Sequence, residues 1–314
     1  GVFCGVSEGN LLAVMQVCRK MGFPCYFTEK QWELCENKKL FKELCIKHGV
    51  PTPREYESDD TQLDPDVVTR FPVIVKPVDG SGAVRITICR NREELIAAYD
   101  VAKKASGSGR VIIEDYVVGT EISSVYTISD GEISLSILRD RYPSMDHPGV
   151  TAQFDASIAP SRFYKTYLAE VDPAVKEMLR NVGLKVGTVF FQGIANESGI
   201  YIFECGLRMN ALCDYYNIGK LTGVNYMELL IDYALTGKSC GVMLEREQPD
   251  PDEFCCIFNM TAHGGKIGYL AGSEECRKLP YVINAEFLPS KGRVITDDNS
   301  MTQSVFRAYI NAPS

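Results

Sequence analysis

Apolar residues recur at helical spacing over residues 11–21, where Leu11, Leu12, Val14, Met15, Val17 and Cys18 share one side of a 3.6-residue period and Gly22 supplies a stop. Short apolar runs at residues 2–6 and 24–27 flank this helix and predict strands, so the opening reads as a β-α-β unit with a parallel sheet. A second helix is predicted over residues 37–48, ended by Gly49, and Val50-Pro51-Thr52-Pro53 follows as an extended linker. Residues 54–130 read as a compact α+β module. It has strands at 73–76, 84–89 and 111–113, a helix at 93–105, and a hairpin of 121–129 and 132–138 around Asp130-Gly131. Further on, a helix over 173–187 carries proline in its first turn. Strands at 189–194 and 199–203 pair across Asn196-Glu197-Ser198-Gly199, and a helix at 225–235 closes on Gly237. Gln248-Pro249-Asp250-Pro251-Asp252 reads as a boundary, followed by strands at 255–262 and 266–271 joined by His263-Gly264-Gly265, and then a β-rich tail.

One strand ends in chemistry. In FPVIVKPVDGSGAV, residues 71–84, a buried apolar run terminates in Lys76 and breaks into Gly80-Ser81-Gly82. A buried lysine is costly without an anion, and a glycine loop lets backbone N–H groups approach a phosphate. The pair reads either as a polyphosphate site or as a lysine snorkelling to the surface before an ordinary turn. In residues 111–123 a strand runs into Glu114-Asp115-Tyr116-Val117, then Gly119 and Glu121. Such an edge can offer backbone groups to an adenine and a carboxylate to ribose hydroxyls. In residues 189–208 a hairpin sets Gln192 on one strand and Glu204 at the end of its partner, with Arg208 just beyond. Two oxygen donors on adjacent strands suit Mg²⁺, which keeps water and substrate phosphate as its other ligands.

Totals narrow the setting. The 314 residues suffice for two or three modules, and 45% hydrophobic with 24% charged residues is ordinary for a soluble globular protein. A net charge of −8 argues against a general nucleic-acid-binding role, while leaving room for a local basic pocket. No apolar run is long enough to span a membrane and no signal peptide is visible, although the chain starts on Gly1 rather than Met and an earlier segment stays open. The 12 cysteines include no C-x-x-C pair and there are three histidines, so zinc is poorly supported; reduced thiols in a cytoplasmic protein are expected.

The order lysine, glycine loop, acidic hinge, paired oxygen ligands, arginine resembles the ATP-grasp superfamily over nearly the whole chain. The resemblance implies an α/β and α+β fold. Residues 1–50 would be a truncated pre-ATP-grasp β-α-β domain with its linking helix, 51–130 and 131–247 two α+β lobes enclosing ATP, and 248–314 a small β-rich C-terminal domain. Asn37-Lys38 and Gly49-Val50-Pro51-Thr52-Pro53 resemble the family's D-K and G-(I/V)-P-x-P segments. By resemblance, Lys38 and Lys76 hold the nucleotide phosphates and Ser81 and Gly82 lie in the phosphate-covering loop. Glu114, Asp115 and Val117 form the adenine hinge, the last two by backbone contacts, and Glu121 binds ribose. Gln192 and Glu204 would hold Mg²⁺, with Mn²⁺ able to substitute, and Arg208 would grip the acceptor or the transferring phosphate. Gln192 and the segment Leu221-Thr222-Gly223-Val224 look closest to the large subunit of carbamoyl-phosphate synthase, present here as one module.

The resemblance implies an ATP-dependent, ADP-forming ligase. A carboxylate becomes an acyl phosphate that an amine attacks, with no nucleic-acid or membrane partner and with a homodimer among the expected assemblies. Two positions depart from the family. The E-x-N-x-R segment reads Glu204-Cys205-Gly206-Leu207-Arg208, with glycine for the asparagine ligand and Asn210 displaced, and Arg85 stands near a usual glycine. These keep a second reading open, a nucleotide-binding module that has lost catalysis.

Overall fold

The computed structural model describes residues 1–56, 63–79, 85–144, 153–239, 244, 253–297 and 303–313. Helix α1 (Leu11–Met21) spans the predicted residues, and Gly22 caps it in the left-handed conformation at φ 67°. The strands expected at 2–6 and 24–27 are not formed, so the β-α-β unit and its parallel sheet are corrected: those residues are irregular. Their apolar side chains are anchored without a ladder. Cys4, Tyr26 and Phe27 are buried, the Tyr26 and Phe27 rings meet edge to face at 4.8 Å, and the Tyr26 hydroxyl donates to the Leu207 carbonyl at 3.1 Å.

Helix α2 (Glu29–Glu36) starts on a reciprocal cap between Thr28 and Gln31, and Asn37 caps α3 (Lys38–Lys47) through the N–H groups of Lys39 and Leu40. Strands β1 (Val73–Pro77), β2 (Thr87–Cys89) and β3 (Val111–Asp115) form a three-stranded antiparallel sheet in the order β2-β1-β3, backed by α4 (Arg92–Ala105). Their apolar faces close one core around Val73, Val75, Leu95, Tyr99 and Ile113.

A second, larger core lies on an eight-stranded sheet. Its strands are β4 (Thr120–Ser129), β5 (Glu132–Pro143), β6 (Phe154–Ala159), β7 (Gly187–Asn196), β8 (Gly199–Gly206), β9 (Glu253–Thr261), β11 (Val282–Phe287) and β13 (Ser304–Pro313). The order is β11-β13-β9-β6-β5-β4-β7-β8, and every pairing is antiparallel. Helices α5 (Tyr164–Glu170), α6 (Asp172–Val182), α7 (Tyr215–Thr222) and α8 (Tyr226–Thr236) connect and cover these strands. The helix expected to reach residue 187 stops at Val182, because Gly183 turns left-handed at φ 80° and Gly187 already begins β7.

The tail is β-rich, and its strands β9, β11 and β13 extend the large sheet. The strand expected at 266–271 shrinks to β10 (Gly265–Lys266), which pairs with β12 (Val294–Ile295) instead of making a hairpin with β9. The expected boundary at residues 248–252 lies outside the described residues. Among the described residues no helix is long and apolar enough to cross a membrane.

Candidate active site

Where the two sheets face each other, a cavity of about 440 Å³ opens. Its walls include Lys38 from α3, Ile74 and Lys76 from β1, and Glu114 to Glu121 along the turn from β3 into β4. Arg141 from β5, Ile194 from β7, and Phe203 and Glu204 from β8 complete it. Seven of the predicted site residues meet here: Lys38, Lys76, Glu114, Asp115, Val117, Glu121 and Glu204. Ser81 and Gly82, and with them the glycine loop, lie outside the described residues.

Lys76 and Glu114 make the polar floor. β1 and β3 are antiparallel neighbours, and the Lys76 ammonium pairs with Glu114 Oε2 at 2.5 Å; both are buried. The other Glu114 oxygen accepts from Lys42 of α3, which also lies 3.5 Å from Glu55. Burial pushes the Glu114 carboxyl up, but the two lysines outweigh it and hold the group below the ordinary carboxylate range. Lys42 was not read from the sequence, although its spacing of four from Lys38 puts both on one helix face.

Around this floor the cavity is apolar, with Ile74, Ile86, Val117, Ile194 and Phe203 as walls suited to a flat base. At the hinge the Asp115 N–H bonds Arg54 O at 2.9 Å and the Tyr116 N–H bonds Pro72 O at 3.1 Å, whereas the Val117 N–H has no partner among the described residues. The Asp115 side chain points elsewhere, accepting from Tyr56 at 2.7 Å and from Arg70. Glu121, half-buried at the rim, pairs with Arg141 at 3.0 Å; burial raises its carboxyl and Arg141 draws it back.

The bulge between Gln192 and Gly193 gives β8 one extra residue, so Phe203 and Glu204 both face the cavity. Gln192 stands directly opposite Glu204 in register. One carboxylate and one amide oxygen on adjacent strands fit a single Mg²⁺ whose remaining ligands are phosphate and water. The described residues do not fit a second metal ion. The place where the resemblance puts an asparagine ligand is filled, since a Cβ on Gly206 would lie 2.2 Å from the Phe190 ring. Asn210 does not take its place: it is buried outside the cavity lining, with its Oδ1 accepting from the Leu212 N–H at 2.8 Å. Restoring the asparagine alone, Gly206→Asn, is expected to destabilise the fold by about 1–3 kcal/mol through overpacking, read as a lower denaturant midpoint at unchanged slope.

Arg208 does not line the cavity. Its guanidinium lies over the Phe190 ring at 4.9 Å, donates to Met209 O at 3.1 Å, and faces Glu8 at 3.5 Å. Behind it, Glu36 accepts from the Leu207 N–H at 3.1 Å. Burial, then the neighbouring Glu8 carboxyl, push the Glu36 carboxyl up to about 9. A carboxyl raised in the folded state binds a proton that the unfolded chain has released, so stability falls as pH rises from the ordinary value of 4.5 toward 9. Glu36→Gln is expected to flatten that slope, at most about 1.4 kcal/mol per pH unit, in denaturation curves between pH 5 and 9.

Residues 69–214 match the family described as the ATP-grasp domain. The carbamoyl phosphate synthase large chain of Clostridium beijerinckii is 27% identical over 214 residues, which are 67% of this chain and 20% of that one. The 2-oxoglutarate carboxylase small subunit of Hydrogenobacter thermophilus is 28% identical over 310 residues, 90% of this chain and 61% of that one. This chain thus spans about a fifth of the first relative and three fifths of the second. Among solved structures, L-amino acid ligase from Bacillus licheniformis superposes with a TM-score of 0.76 at 18% identity, covering 98% of this chain and 74% of that one. The biotin carboxylase domain dimer of Hydrogenobacter thermophilus 2-oxoglutarate carboxylase, solved with MgADP and bicarbonate, gives 0.74 at 22%, covering 98% and 68%. At these identities the structures establish the fold.

Proposed function

We propose, on the premise that residues 69–214 are an ATP-grasp domain, that this protein is an ATP-dependent, ADP-forming ligase that activates a carboxylate as an acyl phosphate for attack by an amine. The observation that carries this reading is the buried Lys76–Glu114–Lys42 cluster at the floor of an apolar cavity that ends in Glu204. The adenine lies between Ile74, Ile86 and Phe203 and accepts from the Val117 N–H, with Glu121 at the ribose. Lys76 and Lys38 take the phosphates. Gln192 and Glu204 hold the Mg²⁺, which supplies charge neutralisation on the phosphates when bound.

Phosphoryl transfer asks for alignment and neutralisation more than for covalent help from the protein. A carboxylate oxygen attacks the γ-phosphorus, the bond to the β–γ bridging oxygen breaks, and ADP leaves with that electron pair. The amine nitrogen then attacks the acyl carbon and loses a proton, and phosphate departs. Bicarbonate as the carboxylate would make the reaction carbamoyl-phosphate-synthase-like. Arg208, in its ion-paired setting, acts in this scheme only through the Phe190 ring and the loop it holds.

The test is ADP release from Mg-ATP with bicarbonate or pooled amino acids, with hydroxylamine present to trap acyl phosphate as hydroxamate. Probe-dependent ADP and hydroxamate support the ligase. A second reading, nucleotide binding without turnover, is favoured by one observation, the Phe190 ring filling the place of the missing asparagine at Gly206. It predicts tight Mg-ADP binding with no ADP release from ATP under any probe.

A further inference from the structure

The polar side of the large sheet continues past the cavity. In register, Glu204 of β8 faces Gln192 of β7, Gln192 faces Ser123 of β4, and Ser123 faces Arg139 of β5. Directly opposed side chains on one face stand about 4.5–5.5 Å apart at Cβ, so these four form a row. It lies one step inward from Ile194, Glu121 and Arg141, which line the cavity and occupy the next register positions on the same face. Residues 208–214 fold over its inner end: Ala211 O accepts from Arg307 Nη1 at 2.8 Å, and Asp214 approaches Arg139.

Arg139 at this position is anomalous as a structural residue. It is fully buried at 0% exposure, and Nε, Nη1 and Nη2 make no hydrogen bond to oxygen or nitrogen among the described residues, with the Cys255 thiol of β9 beside the guanidinium. Among the described residues its one ion-pair partner is Asp214, whose Oδ2 stands at 3.8 Å and has no hydrogen bond there, while Asp214 Oδ1 accepts from the Tyr226 hydroxyl. A guanidinium and a carboxylate serving only to stabilise each other close to about 2.7–2.9 Å, often through two parallel bonds. Ser123 Oγ, beside Arg139 in the row, is also buried and unpartnered. Leaving a guanidinium, a hydroxyl and a carboxylate oxygen unsatisfied together is expensive. Ser123 and Arg139 are buried one register step inward from the cavity-lining Glu121 and Arg141.

We propose that Arg139, with Ser123 and Asp214, is the acceptor subsite, which takes the small carboxylate to be phosphorylated; this rests on the ligase reading above. The guanidinium fork receives the carboxylate, the Ser123 hydroxyl donates to one of its oxygens, and Asp214 Oδ2 accepts from a hydroxyl or ammonium group beside the carboxyl. The row Glu204–Gln192–Ser123–Arg139 then runs from metal to acceptor, which sets the attacking oxygen next to the γ-phosphorus. Bicarbonate and α-amino acids both carry such a donor next to the carboxyl; acetate does not.

Full-length protein loaded with Mg²⁺ and the non-hydrolysable imido analogue of ATP is titrated calorimetrically with bicarbonate, with pooled amino acids and with acetate. Wild type is expected to bind bicarbonate or an amino acid and to bind acetate weakly. Arg139→Gln is expected to lose about tenfold or more of that affinity, the loss of one charge-assisted pair, at unchanged affinity for the nucleotide analogue. If Arg139→Gln does not fold, Ser123→Ala decides: weakened carboxylate binding with intact nucleotide binding supports the subsite, and unchanged carboxylate binding overturns it. Equal carboxylate affinity in wild type and Arg139→Gln overturns the proposal, as does wild type that binds the nucleotide analogue and no probe. ADP release from ATP in the same samples scores the ligase reading separately. Carboxylate binding that depends on Arg139 without release sinks that reading and leaves the subsite standing.

Discussion

Lys76→Ala is expected to lower probe-dependent ADP release by about 10²-fold or more, the size seen when a preorganised charge facing a reacting phosphoryl or oxyanion is removed. The reason lies in its position. Lys76 stands at the end of β1, 6% exposed, with its ammonium on Glu114 Oε2 and its side chain in the cavity wall. In that low-dielectric setting a cation acts far more strongly on phosphate charge than one in water. Stability is expected to fall less than activity, because Glu114 keeps Lys42 as partner. The measurement is steady-state ADP release beside a thermal melt of the same sample. A variant that melts like wild type and still releases ADP at the wild-type rate would remove Lys76 from the chemistry and leave it as a structural ion-pair member.

Part of this was readable along the chain. Lys76 showed itself because an apolar strand ending in lysine before a glycine loop is hard to explain otherwise, and Glu114, Val117 and Glu121 followed at one hinge. α2 was also legible and went unread: Thr28-Glu29-Lys30-Gln31 is a capping box, and the structure makes both of its bonds. The strands expected at 2–6 and 24–27 failed for a different reason. An apolar run specifies burial, and it becomes a strand only when a ladder partner lies alongside; Tyr26 and Phe27 are buried with none. β5 ran five residues past the expected Leu138 end because Arg139 and Arg141 break the apolar alternation locally, while their counterparts Asp214 and Glu121 are remote in sequence. Motif order placed Arg208 beside the metal ligands, yet its place in space depends on the Phe190 ring, which the β7–β8 register sets opposite Gly206.

Glu114→Gln is expected to have the largest effect on stability, about 3–5 kcal/mol, because it leaves buried Lys76 without its carboxylate and Lys42 with Glu55 alone at 3.5 Å. In wild type the folded-state carboxyl is held below its ordinary value of 4.5 by Lys76 and Lys42 acting against burial. Its contribution is therefore fully present above that value and is lost as pH falls through the lowered one. The variant has no such group, so its stability should change less than wild type's across the acid limb, measured by urea unfolding between pH 3 and 6. Nucleotide binding should move the other way. Glu114 neutralises Lys76 while the phosphate site is empty and so competes with phosphate for the same ammonium. Removing the carboxylate leaves Lys76 to the phosphate, and ADP affinity per folded molecule should hold or rise, with a larger increase in melting temperature at saturating Mg-ADP than wild type shows. A variant that is stable but has lost ADP would mean that Glu114 contacts the nucleotide itself, and that the two lysines do not depend on it for their place in the fold.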